Sequence, residues 1–123
     1  MWYGPAGIGT TRGMAGFQAH HQIPFLTGFP DRRGAGHYVR LADGPYVVTG
    51  GWPSVTATHS GEWLGLGGTG RAIEMRVMDF YRVDGGRIAE NWVPIDVLHI
   101  LRQMGCDVLG RLAHLRGSPR RDL

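Results

Sequence analysis

Three side chains in this sequence are of a type and in a position to move protons. Asp79 lies in the alternating run Arg71 to Val83, where Met75, Val77, Asp79, Tyr81 and Val83 share one face of a strand. A carboxylate among apolar neighbours has to be paired, protonated or put to use. Either an arginine partner or a pocket role therefore accounts for Asp79. His59 alternates with Val55 and Ala57 on a neighbouring strand, and a hydrogen-bonded, half-buried imidazole is its plainer reading. Asp96 follows a strand and opens a helix, so by residue type it is an N-cap whose oxygens accept backbone N–H groups.

Other chemistry-like patterns fail on context. Gly65-Leu66-Gly67-Gly68-Thr69-Gly70 spells a dinucleotide fingerprint, but that motif must open a helix whose N-terminus holds pyrophosphate. The residues that follow alternate like a strand, so this stretch is a glycine-rich connection. The six histidines show no metal-ligand spacing, and no metal site is expected. The lone Cys106 has no internal disulfide partner and reads as a buried thiol on a helix.

The elements that must position these groups follow from periodicity. Thr10 or Thr11 caps a helix near 11–29, with Met14, Phe17, His21, Phe25 and Phe29 along one face and a kink at Pro24. Strands are expected at 37–42, 46–62, 71–83 and 87–93, all antiparallel, with turns at Asp43-Gly44-Pro45 and Asp84-Gly85-Gly86. Gly50-Gly51 and Trp52-Pro53 mark a bulge or bend in the second of them. A helix near 96–104 follows, and Gly105 separates it from a segment carrying Val108, Leu109, Leu112 and Leu115. Helix, strand meander, helix is the order of an α+β domain.

Composition limits the remaining classes. A chain of 123 residues with 42% apolar and 19% charged side chains is one folded domain, placed at 1–116, with a flexible basic tail at 117–123. No apolar run approaches the ~20 residues of a membrane helix, and the N-terminus lacks the features of a signal peptide, so a cytoplasmic protein without membrane contact is expected. All thirteen basic residues are arginine. Arginines and acidic residues balance as far as residue 100. The +3 excess lies entirely in Arg102, Arg111, Arg116, Arg120 and Arg121 against Asp107 and Asp122. A frayed basic end is a poor nucleic-acid footprint, and no nucleic-acid partner is expected.

Several segments in order carry a family resemblance. They are Thr58-His59-Ser60-Gly61-Glu62-Trp63, Thr69-Gly70-Arg71, Asp84-Gly85-Gly86-Arg87-Ile88-Ala89-Glu90-Asn91-Trp92-Val93-Pro94-Ile95-Asp96 and Leu101-Arg102-Gln103-Met104-Gly105. Together they resemble the SnoaL-like polyketide cyclases of the NTF2-like superfamily. The resemblance implies a cone: a curved antiparallel sheet wrapped around helices, with an apolar pocket inside. It also implies an aspartate that moves protons during an intramolecular aldol closure, which by motif is Asp96. The chain begins at what reads as the family's first strand, Trp2-Tyr3-Gly4-Pro5, without the helix pair that precedes it. An N-terminally shortened domain is therefore the expectation.

These readings combine into one expected site. Asp96 carries the proton and His59 or Asp79 assists. Trp92, Tyr81, Met75, Val77, Phe17 and Tyr3 line the pocket, and the reaction draws on no metal or organic cofactor. The ligand is a small hydrophobic ring compound. The alternative is a non-catalytic binding or dimerisation module of the same fold. A homodimer is expected, because both faces of 71–83 carry large apolar side chains that need cover.

Overall fold

The computed structural model describes residues 1–117, so the expected basic tail lies, beyond Gly117, outside the described residues. The elements are β1 (Trp2–Tyr3), β2 (Thr10–Thr11), α1 (Gly13–Phe17), a π-helical turn (Gln18–Gln22), α2 (Ile23–Gly28), β3 (Arg33–Gly34), β4 (Val39–Asp43), β5 (Tyr46–His59), β6 (Arg71–Asp84), β7 (Arg87–Trp92), α3 (Val97–Gln103) and α4 (Val108–Leu115). The sheet runs β2-β1-β7-β6-β5, with β3 and β4 both paired to β5. Every pairing is antiparallel except one: β1 runs parallel to β7, so the sheet is mixed. The meander 39–92 supplies the antiparallel part, and β1 then covers the bare edge of β7. No helix among the described residues is long and apolar enough to cross a membrane.

The first helix departs from expectation at both ends of its logic. Thr10 and Thr11 pair with β1, so the helix begins after Arg12 without a side-chain cap. Pro24 brings no N–H, and the chain answers with a wide turn just before it. There Ile23 donates to Gln18 rather than one residue nearer. The apolar stripe survives the insertion. Phe17 and His21 pack on Trp2, His21 stacks on Phe25, and Phe25 leads to the fully buried Phe29.

β5 ends at His59, short of the expected 62. Ser60 and Gly61 donate to the carbonyl of Gly28, and a Cβ at Gly61 would collide with the Thr27 carbonyl. The chain therefore leaves the sheet to meet the end of α2. The bulge expected near Gly51 is present, between Gly51 and Val55. Its centre is Ser54, fully buried, whose hydroxyl shares its proton between the carbonyls of Gly51 (2.5 Å) and Val77 (2.9 Å) and accepts from Val77 N–H at 3.2 Å. Phe29, Trp63, Ile73, Met75, Ile100 and Met104 form the core where the helices meet β6.

β7 pairs only with the last third of β6, which leaves the edge at 71–79 to be finished by other means. Met78 N–H donates to Pro94 O, and Asp96 N–H donates to Arg76 O. Further down, the Gln103 side chain stands in for a strand. Its Oε1 accepts from Glu74 N–H and its Nε2 donates to Glu74 O, both at 2.8 Å. Losing this partner strips two edge hydrogen bonds. Gln103→Ala is expected to lower unfolding free energy by roughly 1–3 kcal/mol, read from urea denaturation of both proteins.

Candidate active site

Strand parity sorts the side chains of the sheet into two faces. Residues opposite each other in a ladder point the same way. Asp79 lies opposite Thr49, Tyr81 lies opposite Asn91, and Trp2 lies beside Asn91. These join Ile73, Met75 and Val77 on the inner face, under α1 and α2. Phe80 lies opposite Trp92, Arg82 lies opposite Glu90, and Tyr3 is the neighbour of Trp92, so these belong to the outer face.

A cavity of about 250 Å³ opens on the inner face between α1 and the strands β1, β6 and β7. Trp2, Met14, Phe17 and Ile88 give it apolar walls, and Tyr81 and Asn91 supply its polar end. The Tyr81 hydroxyl lies near Asp79 and Thr49. Burial first, and the Asp79 charge second, push its pKa up to about 12. It therefore remains a neutral donor. Asp79 Oδ1 also accepts a long bond of 3.5 Å from Asn91 Nδ2, which donates to Phe80 O at 3.2 Å. The Asp79 carboxylate thus accepts from an amide and lies beside a phenol, neither of them a cation. Behind the wall, the Trp2 indole stacks on His21 at 4.1 Å. Desolvation there lowers the imidazole pKa to about 4, so it is neutral at ordinary pH.

Of the expected site residues, Tyr81 and Phe17 line this cavity, and Asp79 adjoins it through Asn91. The others do not. Asp96 caps α3, with Oδ1 accepting from His99 N–H at 3.2 Å, and Oδ2 pairs with Arg76 Nη1 at 3.3 Å. That arginine is an outer-face residue whose guanidinium lies 4.4 Å over the Trp52 ring. Asp96 therefore borders a separate groove of about 300 Å³ with Arg76, His99 and Arg102. His59 is on the inner face but fully buried beside Phe29, with Nδ1 3.1 Å from Thr69 Oγ1 and Nε2 without a partner among the described residues. It lies opposite Arg71, and Asp79 is some 26 Å further along β6 at ~3.3 Å per residue. Met75 is core and Val77 packs against it. Trp92 and Tyr3 stack on each other at 5.5 Å on the outer face.

The misplacement of Trp92 has a single cause. After the two-residue turn Gly85-Gly86, an unbroken hairpin would set Trp92 opposite Asp79, inside. The ladder instead shifts between Arg82 and Val83, so that Val83 faces Ile88 and Arg82 faces Glu90. One extra residue, Ala89, exchanges the two faces of everything after it. Asn91 turns in and Trp92 turns out. Sequence reasoning missed Asn91, Trp2, Thr49 and His21 as neighbours of the cavity. His21 was visible on the helical stripe, whereas Asn91 carried no signal without the bulge.

Known proteins resemble this arrangement. The family model for SnoaL-like polyketide cyclase matches residues 3–104. Among solved structures, IdmH of Streptomyces antibioticus, a candidate polyketide cyclase, is 30% identical and superposes with a TM-score of 0.68 over 85% of this chain and 77% of its own. A candidate polyketide cyclase of Acidithiobacillus ferrooxidans is 28% identical, with a TM-score of 0.68 over 84% of this chain and 71% of its own. AclR of Streptomyces galilaeus, a candidate hydroxylase, shares the fold at 24% identity, with a TM-score of 0.69 over 85% of this chain and 65% of its own. This chain thus spans slightly less than two thirds of AclR. No curated protein sequence matches the chain. The α+β cone is of the NTF2-like kind.

His21 makes stability depend on pH. Its folded pKa of about 4 lies below the unfolded value of 6.5, so the unfolded chain binds the extra proton between them. Stability is complete above pH 6.5 and falls as pH drops toward 4. In His21→Phe that part of the pH dependence is expected to vanish, as measured by thermal melts from pH 7.5 to 4.

Proposed function

The chain belongs to the SnoaL-like polyketide cyclase family, and from that premise we propose an acid–base enzyme of the cyclase or isomerase type. Its substrate is a small hydrophobic ring compound held in the inner-face cavity, and its proton carrier is Asp79 rather than Asp96. One observation carries the reading: a phenol and an amide, Tyr81 and Asn91, form the polar end of an otherwise apolar cavity, and the inner-face carboxylate of Asp79 adjoins them. The homodimer expected from the sequence is part of the same proposal.

The chemistry follows from those partners. Asp79 takes an acidic C–H proton next to a substrate carbonyl, and the negative charge moves onto the enolate oxygen. Tyr81, which keeps its proton up to about pH 12, and Asn91 donate hydrogen bonds to that oxygen. The enolate carbon then attacks a second carbonyl carbon of the same molecule. A C–C bond forms, and the resulting alkoxide recovers the proton from Asp79. For an isomerisation the proton returns to a different carbon. Trp2, Met14 and Phe17 exclude water from the reacting atoms.

The size of the cavity favours a second reading. At about 250 Å³ it lies just below the ~300–1,000 Å³ of ordinary ligand sites, which suits a module that binds one small ring without transforming it. Two isosteric variants separate the readings on a substrate that the wild type turns over. Asp79→Asn is expected to cut kcat by roughly two to four orders of magnitude while ligand binding persists. Asp96→Asn should leave kcat within about twofold, since asparagine caps a helix nearly as well. The reverse pattern would return the acid–base role to Asp96. A wild type that binds ring compounds and converts none would support the binding module.

A further inference from the structure

We infer that the inner-face cavity is also a binding site for a small organic cation, a single ring that carries a protonated amine. Charge is the first reason. Among the described residues that line the cavity no side chain is charged, and the Asp79 carboxylate adjoins its polar end. The basic groups around it do not offset that charge. His21, behind Trp2, is neutral, because desolvation lowers its pKa to about 4. Arg82 belongs to the outer face and pairs with Glu90. The amino group of Met1 donates to Ala89 O at 2.9 Å, and its charge acts on Glu90 of that outer face. A carboxylate at the end of an apolar cavity, with neutral neighbours only, draws a cation from solution.

Hydrogen-bond direction agrees with charge. Asn91 Nδ2 donates to Asp79 Oδ1 and Phe80 O, at 3.5 and 3.2 Å, so the amide oxygen is what Asn91 has left for a ligand. A hydroxyl beside a carboxylate turns its hydrogen toward it, which leaves the Tyr81 oxygen as an acceptor too. The polar end therefore calls for donors. An ammonium brings only donors, whereas a carboxylate ligand brings none and adds repulsion. The walls suit the same class. Trp2, Phe17 and Tyr81 are aromatic rings that attract a cation, and Met14 adds a polarizable sulfur. A metal ion is a poorer occupant, since no group of three metal-ligating side chains occurs among the described residues. At about 250 Å³ the cavity takes one ring with a short arm. Proton transfer to Asp79 frees the hydrogens turned toward it, so an amine binds the ionised state and blocks the proposed reaction. That blocking rests on the acid–base reading; the binding does not.

Titration calorimetry near neutral pH with three probes of similar shape tests this. Benzylamine is a cation there, benzyl alcohol is neutral and benzoate is an anion. Benzylamine is expected to bind roughly tenfold or more tighter than benzyl alcohol, and benzoate more weakly than either. Asp79→Asn keeps the shape and removes the charge. It should erase the preference while benzyl alcohol binds within about twofold of wild type. Glu90→Gln, on the outer face, should leave the preference intact. If Asp79→Asn does not fold, Ile88→Lys decides, because that wall position is 63% exposed. A fixed cation there should weaken benzylamine roughly tenfold and benzyl alcohol by no more than about threefold. Equal binding of amine and alcohol overturns the inference and leaves the ring-compound reading standing. A preference that survives in folded Asp79→Asn overturns it as well. Amine preference without turnover of any ring substrate overturns the acid–base reading and supports the inference. Binding of none of the three overturns the inference together with the role of the cavity as a ring site.

Discussion

A single inserted residue governs which chemistry the sheet presents on which side. Successive side chains of a strand alternate faces, so the register of β7 on β6 decides what the cavity contains. Ala89 is the extra residue. With it, an amide and a phenol meet Asp79 under α1, and the indole of Trp92 joins Phe80 and Tyr3 outside. Without it, the cavity would hold Trp92 and the outer face would hold Asn91. Both the polar end of the cavity and the continuity of the outer apolar row thus rest on one bulge.

The motifs that carry the family resemblance do mostly mechanical work in this chain. His59 is clamped by Thr69: the loop N–H groups of Thr69 and Gly70 donate to its carbonyl, and the threonine hydroxyl meets its ring. Arg71 then reaches the carbonyl of Gln103 at the end of α3, where the helix leaves carbonyls unsatisfied. Gln103 finishes the edge of β6, and Asp96 starts α3 by accepting the His99 N–H. The pieces are far apart in sequence yet form one brace between the end of β5, the edge of β6 and the last helices. Their order and spacing identify the fold because each piece must reach the next.

Much of this was legible in the sequence. Period-two alternation located β5, β6 and β7, and the inward parity of Asp79 and Tyr81 followed directly from it. The bulge at Gly51 was signalled by paired glycines beside Trp52-Pro53. What could not be read depended on insertions without a distinctive residue type. Ala89 is an ordinary strand residue, and nothing in Arg87-Ile88-Ala89-Glu90 announces a slip. The wide turn before Pro24 was legible only as a kink, because one missing N–H can be accommodated in several ways. The placement of Asp96 turned on competition. A motif suggested chemistry, residue type suggested a cap, and the Arg76 partner that commits its second oxygen becomes visible only in three dimensions.

In the proposed reaction, the titrating neighbours of the cavity suit Asp79 to proton transfer. Tyr81 is kept protonated and His21 deprotonated, both chiefly by burial, so at neutral pH each is uncharged. Among the described residues no arginine bonds to Asp79; the Asn91 amide donates to it and the Tyr81 phenol lies beside it, and neither is charged. In the proposed reaction, its carboxylate accepts a carbon-bound proton and the negative charge passes to a substrate oxygen near those same donors. Charge is moved inside the cavity, and none is created or extinguished. The desolvation cost of that charge is therefore similar before and after the transfer, and the barrier is lowered by donors already in place. Asp96, tied at one oxygen to a helix N–H and at the other to a guanidinium, would have to break both contacts before doing the same.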